Sequence, residues 1–180
     1  PGGDTAATES IVDYLHSMFG NDIRAIIPQI AMSAGTMIAC SCKEIIMGLQ
    51  SNLGLIDPQL NGIPAHGVVE EFKRAYTEIK ADPIKAAIWQ PIIAKYNPTF
   101  VGACEKAIDW SEKMVRDWLD RNMLSTDPNK KKTIDKIILE LGDHALNKSH
   151  SRHLSMEKCK NMVLKIVDLE ADTVHQDLVL

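Results

Sequence analysis

At 180 residues, 45% of them hydrophobic, the chain supports one domain with a real core and at most a small extension. Its formal net charge of −4, with acidic and basic residues interspersed, carries no electrostatic footprint for nucleic acid. Cys40, Cys42, Cys104 and Cys159 have neither zinc-knuckle spacing nor a secreted disulfide pattern and read as reduced cytosolic thiols, and neither a signal peptide nor an apolar run of membrane-spanning length is visible.

Pro1-Gly2-Gly3 is a Gly-rich turn running into a helix that Asp4 or Thr5 can cap. The helix extends to about Phe19, with Ala7, Ile11, Leu15 and Met18 on one face and Gly20 as its stop. Asp22 to Gln29 is β-branched and apolar enough for a short buried strand. The stretch Ile30-Ala31-Met32-Ser33-Ala34-Gly35 then reads as strand, sharp turn and the start of a buried helix through Cys42. Glu44 to Gly48 and Leu53 to Ile56 are two further short strands. Strand, helix, strand with short links argues for a mainly parallel sheet covered by helices over residues 1–63.

From Pro64 to the end the pattern is helical. Val68, Val69, Phe72, Tyr76 and Ile79 recur at helical spacing, Ala81-Asp82-Pro83 ends that helix, and Pro91 predicts a kink or break between Ile84 and Tyr96. Asn97-Pro98-Thr99 opens the longest helix, to about Met123, with Val101, Cys104, Ile108, Val115, Trp118 and Leu119 inward. Asp127-Pro128 starts another through Leu141, closed by Gly142, and its Lys130-Lys131-Lys132 run reads as a solvated face. After a His-rich loop, Ser155 can cap a last helix from Met156. Residues 64–180 are thus expected as a helical part of the same domain.

Ser33 is the residue on which chemistry can be built. Ala31, Ala34 and Gly35 are small enough for the backbone to turn tightly, as in a nucleophile elbow, where the hydroxyl is pushed outward and the amides of the new helix can hold an oxyanion. The competing reading is a plain helix N-cap.

Pro1-Gly2-Gly3 about thirty residues before a small-x-Ser-Ala-Gly turn resembles the serine peptidases of the Clp/crotonase fold. Ser51-Asn52-Leu53-Gly54-Leu55-Ile56-Asp57-Pro58-Gln59, Ser149-His150-Ser151-Arg152-His153-Leu154 and Asp168-Leu169-Glu170 are similar to the narrower serine dehydrogenase proteinase family, related to signal peptide peptidase A. The resemblance implies a Clp-like α/β fold, a serine peptidase activity without a cofactor, and homo-oligomers acting on peptide or protein substrates. It also implies an oxyanion hole from the amides of Gly3 and Ala34, and a Ser, Asp, His order of catalytic residues. Because such a fold puts a strand before the Pro-Gly-Gly turn, it implies an N-terminally truncated chain, so that an upstream membrane anchor stays open beside a cytoplasmic location.

Ser33 needs a base to take its proton and a third group to hold that base. Asp57, 24 residues after Ser33, fits the family's aspartate and is also an ordinary strand-end turn residue. His150, in a polar loop, is preferred as base over His66 and His153. Lys73, Lys80 and Lys85 rank lower, because a neutral lysine must be desolvated and these sit on helices that read as exposed. Arg152 could bind a carboxylate or brace Asp57. His144, His150 and His153 could approach a metal, but no carboxylate or cysteine stands at ligand spacing. Leu55 replaces a usual proline and Val163 a usual glycine of the family. The expected function is a serine peptidase with Ser33, Asp57 and His150; an acyl-CoA hydratase or isomerase and an inactive scaffold are the alternatives the same fold allows.

Overall fold

The computed structural model describes residues 3–142, 153–171 and 176–177, and it divides into two compact units, one of residues 1–56 with 111–180 and one of residues 57–110. In chain order the elements are α1 (Thr5–Phe19), β1 (Arg24–Ile27), β2 (Ile30–Ala31), α2 (Ala34–Ser41), β3 (Glu44–Met47), β4 (Asn52–Gly54), β5 (Gln59–Leu60), β6 (Ile63–Pro64) and α3 (Ala65–Ala81). There follow α4 (Ala86–Ile93), α5 (Phe100–Arg121), α6 (Lys130–Gly142), β7 (His153–Ser155), α7 (Met156–Asn161) and β8 (Ile166–Asp168).

In the first unit, the Asp4 carboxylate accepts the Ala7 amide at 2.8 Å and starts α1, and Gly20 at φ +64° stops it. The buried face of α1 is not the expected Ile11, Leu15 and Met18 stripe: Thr8 and Val12 are buried, whereas Ile11 and Met18 are about half exposed. Thr8 can turn inward because its hydroxyl is satisfied locally, donating to Asp4 O at 2.7 Å.

One sheet has the order β1-β3-β8, all parallel, with Ala25 opposite Ile45 and Ile45 opposite Ile166. Its central strand is covered on both faces, Ile45, Ile46 and Met47 being almost wholly buried, as the unbroken apolar run predicts. The other sheet has the order β2-β4-β7, parallel between β2 and β4 and antiparallel between β4 and β7. The strands β7 and β8 lie where the sequence reads as loop and helix. Each is three residues long, too short for alternation to mark it, and each exists because the sheet supplies its partner. The helix expected from Met156 is correspondingly only six residues, and Ser155 occupies its N-cap position without a side-chain bond.

The carboxyl end of the first sheet is closed by residues of the family strings. Ser51 Oγ donates to Ile27 O and accepts the Gly48 amide at 2.9 Å, and Glu170 Oε1 accepts the Leu49 amide at 2.9 Å. The helices α5 and α6 supply Val115, Leu119, Ile137 and Leu141 to the core of this unit.

In the second unit, Asn61-Gly62, at φ +54° and +77°, turns the chain between β5 and β6 and delivers it into α3. Its core joins Val68, Val69 and Cys104 with Phe72, Tyr96 and Phe100, the three rings packing at centroid distances of 5.4 and 5.8 Å. Pro91 lies inside α4 rather than at a break, and the helix ends two residues beyond it. Tyr76, expected inward on α3, is 68% exposed; Ala75 is buried instead.

Candidate active site

The strand β2 ends at Ala31, Met32 carries the turn, and α2 begins at Ala34, so Ser33 occupies the N-cap position. Its backbone is at φ 48°, ψ −112°, a region an L-residue enters only under constraint. Its side chain forms no capping bond. The plain N-cap reading therefore does not describe it: an N-cap serine is extended and accepts an amide of the first turn. A strained, half-buried serine between a strand and a helix resembles the turn of a nucleophile elbow.

The turn is held from several sides. The Ser33 amide donates to Leu55 O at 3.2 Å, the Gly35 amide to Met32 O at 2.8 Å, and the Met37 amide to Ser33 O at 3.0 Å. Leu55 is 3% exposed, and because only its carbonyl is used here, a proline at that position would leave the bond to Ser33 intact. Gly54 lets Met32 lie across β4, since a Cβ there would stand 2.8–3.0 Å from Met32 atoms.

Gly3 approaches the same turn: a Cβ on it would be 3.4 Å from Ala34 Cβ. The Ala34 amide belongs to the first turn of α2, where the helix itself supplies no acceptor. The structure thus brings together Gly3, Ser33 and Ala34, residues chosen from two distant motifs.

Asp57 opens the second unit and is 6% exposed. Its Oδ1 accepts the backbone amide of His66 at 3.3 Å in the first turn of α3, while the Ala65 amide donates to Pro58 O at 2.8 Å. A carboxylate at a helix N-terminus is favourably placed. His150, together with Arg152 and His144, lies outside the described residues. His153 is exposed on β7 in register with Gly54. The two are directly opposite in an antiparallel pair and so share a sheet face, the face that Met32 crosses. Lys73 and Lys80 are exposed, and Lys85 is ion-paired with Glu78 at 3.6 Å, so none has the desolvation a neutral amine needs.

All four cysteines are buried. Burial pushes Cys159 up to about 12 and Cys40 higher still, with Cys42 raised for the same reason. Burial, with Asp57 and Glu105 nearby, also raises Cys104. Among the described residues no helix is long and apolar enough to cross a membrane.

Comparison with known proteins gives the chain a family. The pattern of the ClpP-like SDH-type serine proteinases matches residues 1–176. An uncharacterised protein of Methanocaldococcus jannaschii is 36% identical over 104 residues, which are 54% of this chain and 36% of that protein. A second uncharacterised protein of the same organism is 27% identical over 172 residues, 94% of this chain and 53% of its own length. The chain therefore spans about half or less of the curated relatives it matches, and no solved structure matches it. The match along nearly the whole sequence means that this chain belongs to the ClpP-like SDH-type serine proteinases.

Proposed function

We propose that the protein is a serine peptidase in which Ser33 attacks the peptide carbonyl and the amides of Gly3 and Ala34 stabilise the tetrahedral oxyanion. In this reading His150 takes the Ser33 proton and returns it to the leaving amine, and Asp57 orients the imidazole. The substrate is a peptide or protein segment, the active form is a homo-oligomer, and no metal or organic cofactor enters the chemistry.

The observation that carries the reading is the backbone of Ser33, φ 48° and ψ −112°, at a serine whose hydroxyl caps nothing. Constraint of this kind persists where surrounding contacts over-determine it, and it clusters at active sites. The nearness of Gly3 to Ala34 supports the oxyanion hole, because backbone amides from two adjacent turns can then serve one oxygen.

The test is labelling of the protein with a fluorophosphonate probe, followed by mapping of the modified residue by mass spectrometry. Modification at Ser33, absent in Ser33→Ala, is the expected result; a folded, assembled protein that does not label refutes the nucleophile. His150→Ala should lose activity. Full activity in His150→Ala with loss in His66→Ala transfers the role of base to His66.

A further inference from the structure

The helix α2 is apolar except for Thr36 in its first turn and Ser41 at its end, and Thr36 is completely buried. Its Oγ1 lies 2.8 Å from Gly54 O and 3.1 Å from Ala31 O. A hydroxyl has one proton, so this is a donation to Gly54 O with Ala31 O as the second, longer acceptor. The two carbonyls flank the elbow. Ala31 O is two residues before Ser33 on β2, and Gly54 O is one residue before Leu55, whose carbonyl holds the Ser33 amide.

The geometry points to Thr36 as the positioning residue of Ser33: its hydroxyl clamps β2, β4 and the first turn of α2 together and so maintains the strained backbone that presents the nucleophile. The inference rests on the serine-peptidase reading only for its catalytic consequence; the clamp itself is a property of the fold. Carbonyls facing a methyl in place of the hydroxyl lose this donor, and the cheapest relief is for the turn to relax. A threonine acting only through volume would be replaced equally well by valine.

Three variants of the full chain decide it: Thr36→Val, which keeps the shape and removes the donor; Thr36→Ser, which keeps the donor; and Ile137→Val, a core truncation on α6. Amide hydrogen exchange at Ser33 and Met37 and the rate of fluorophosphonate labelling are measured beside thermal melts. In Thr36→Val both amides should exchange about tenfold faster and labelling should be about tenfold slower than in the wild type. Thr36→Ser and Ile137→Val should keep wild-type values at the turn. If Thr36→Val does not fold, Thr36→Cys, a weak donor of similar size, carries the same comparison. Exchange in Thr36→Val within about threefold of wild type overturns the clamp. So does unchanged labelling where the wild type labels. A wild type that fails to label at all refutes the nucleophile, and exchange alone then decides Thr36.

Discussion

Val163 offers the sharpest test of the backbone geometry. It follows α7 at φ +71°, is 48% exposed, and occupies the position where the family resemblance expects glycine. The Val163 amide donates to Lys160 O at 2.9 Å and the Leu164 amide to Cys159 O at 3.2 Å, the paired bonds of a Schellman motif with residue 163 in the left-handed position. The turn is not incidental, because it sends Leu164, 4% exposed, into the core and sets up β8 against β3. A left-handed L-residue costs roughly 1–2 kcal/mol, with β-branching at the upper end. Against this, glycine adds about 0.5–1 kcal/mol of chain entropy on unfolding. Replacing the half-exposed valine also removes about 0.8 kcal/mol of burial, half of the low-end figure for a valine side chain. Val163→Ala loses most of that burial and keeps the left-handed strain of an L-residue without the β-branching. The expected order is therefore Val163→Gly at least as stable as wild type and about 1 kcal/mol above Val163→Ala, a gap of roughly 2–4 °C in Tm. The exposed position Lys73 in the middle of α3 is the control, where Ala should exceed Gly by about 1 kcal/mol. Alanine equal to or better than glycine at 163 would refute the left-handed assignment.

Gly54→Ala should cost about 1–3 kcal/mol by driving a Cβ into Met32, and most of that cost should vanish in the Met32→Ala background; denaturant titrations in a double-mutant cycle measure the coupling. Asp57→Ala should destabilise by about 1 kcal/mol through the lost bond to the first turn of α3, whereas Asp57→Asn keeps an acceptor oxygen there. A large fall in turnover with little loss of Tm in Asp57→Asn is the mark of a catalytic aspartate, and retained turnover assigns Asp57 to helix capping alone. The buried thiols predict alkaline sensitivity. Cys159 is raised from 9.0 to about 12 on folding, so the native state holds its proton more tightly. That contribution is complete below pH 9 and is lost between pH 9 and 12, at about 1.4 kcal/mol per pH unit for one thiol. Urea midpoints across that window should fall for wild type and fall less for Cys159→Ala.

The elements legible in the sequence are those whose cause is local. Asp4 and Gly20 bound α1 because a carboxylate cap and a glycine with positive φ act within one helical turn, and the elbow is readable because small residues must flank it. The short strands β7 and β8 were not readable, because three residues carry no period and their register comes from β4 and β3, roughly a hundred or more residues earlier. The buried face of α1 was misread for a related reason. Thr8 scores as polar, yet a hydroxyl bonded to the preceding turn costs little to bury, so hydropathy alone rotates the face toward Ile11.

The same distinction governs the site. Ser33 with Ala31, Ala34 and Gly35 could be picked out residue by residue, because a sharp turn is built from neighbours. Thr36 could not be weighed that way, since its meaning lies in two carbonyls from different strands. Asp57 shows the converse: the sequence offers it equally as a turn residue and as a triad member, and the structure gives the buried carboxylate a capping bond from the His66 amide. A carboxylate already anchored at a helix start has its position fixed at no further entropic cost, which is what an orienting group in a triad requires. The structural and catalytic readings of Asp57 are thus compatible, and only a substitution that keeps the cap while removing the charge, Asp57→Asn, separates them.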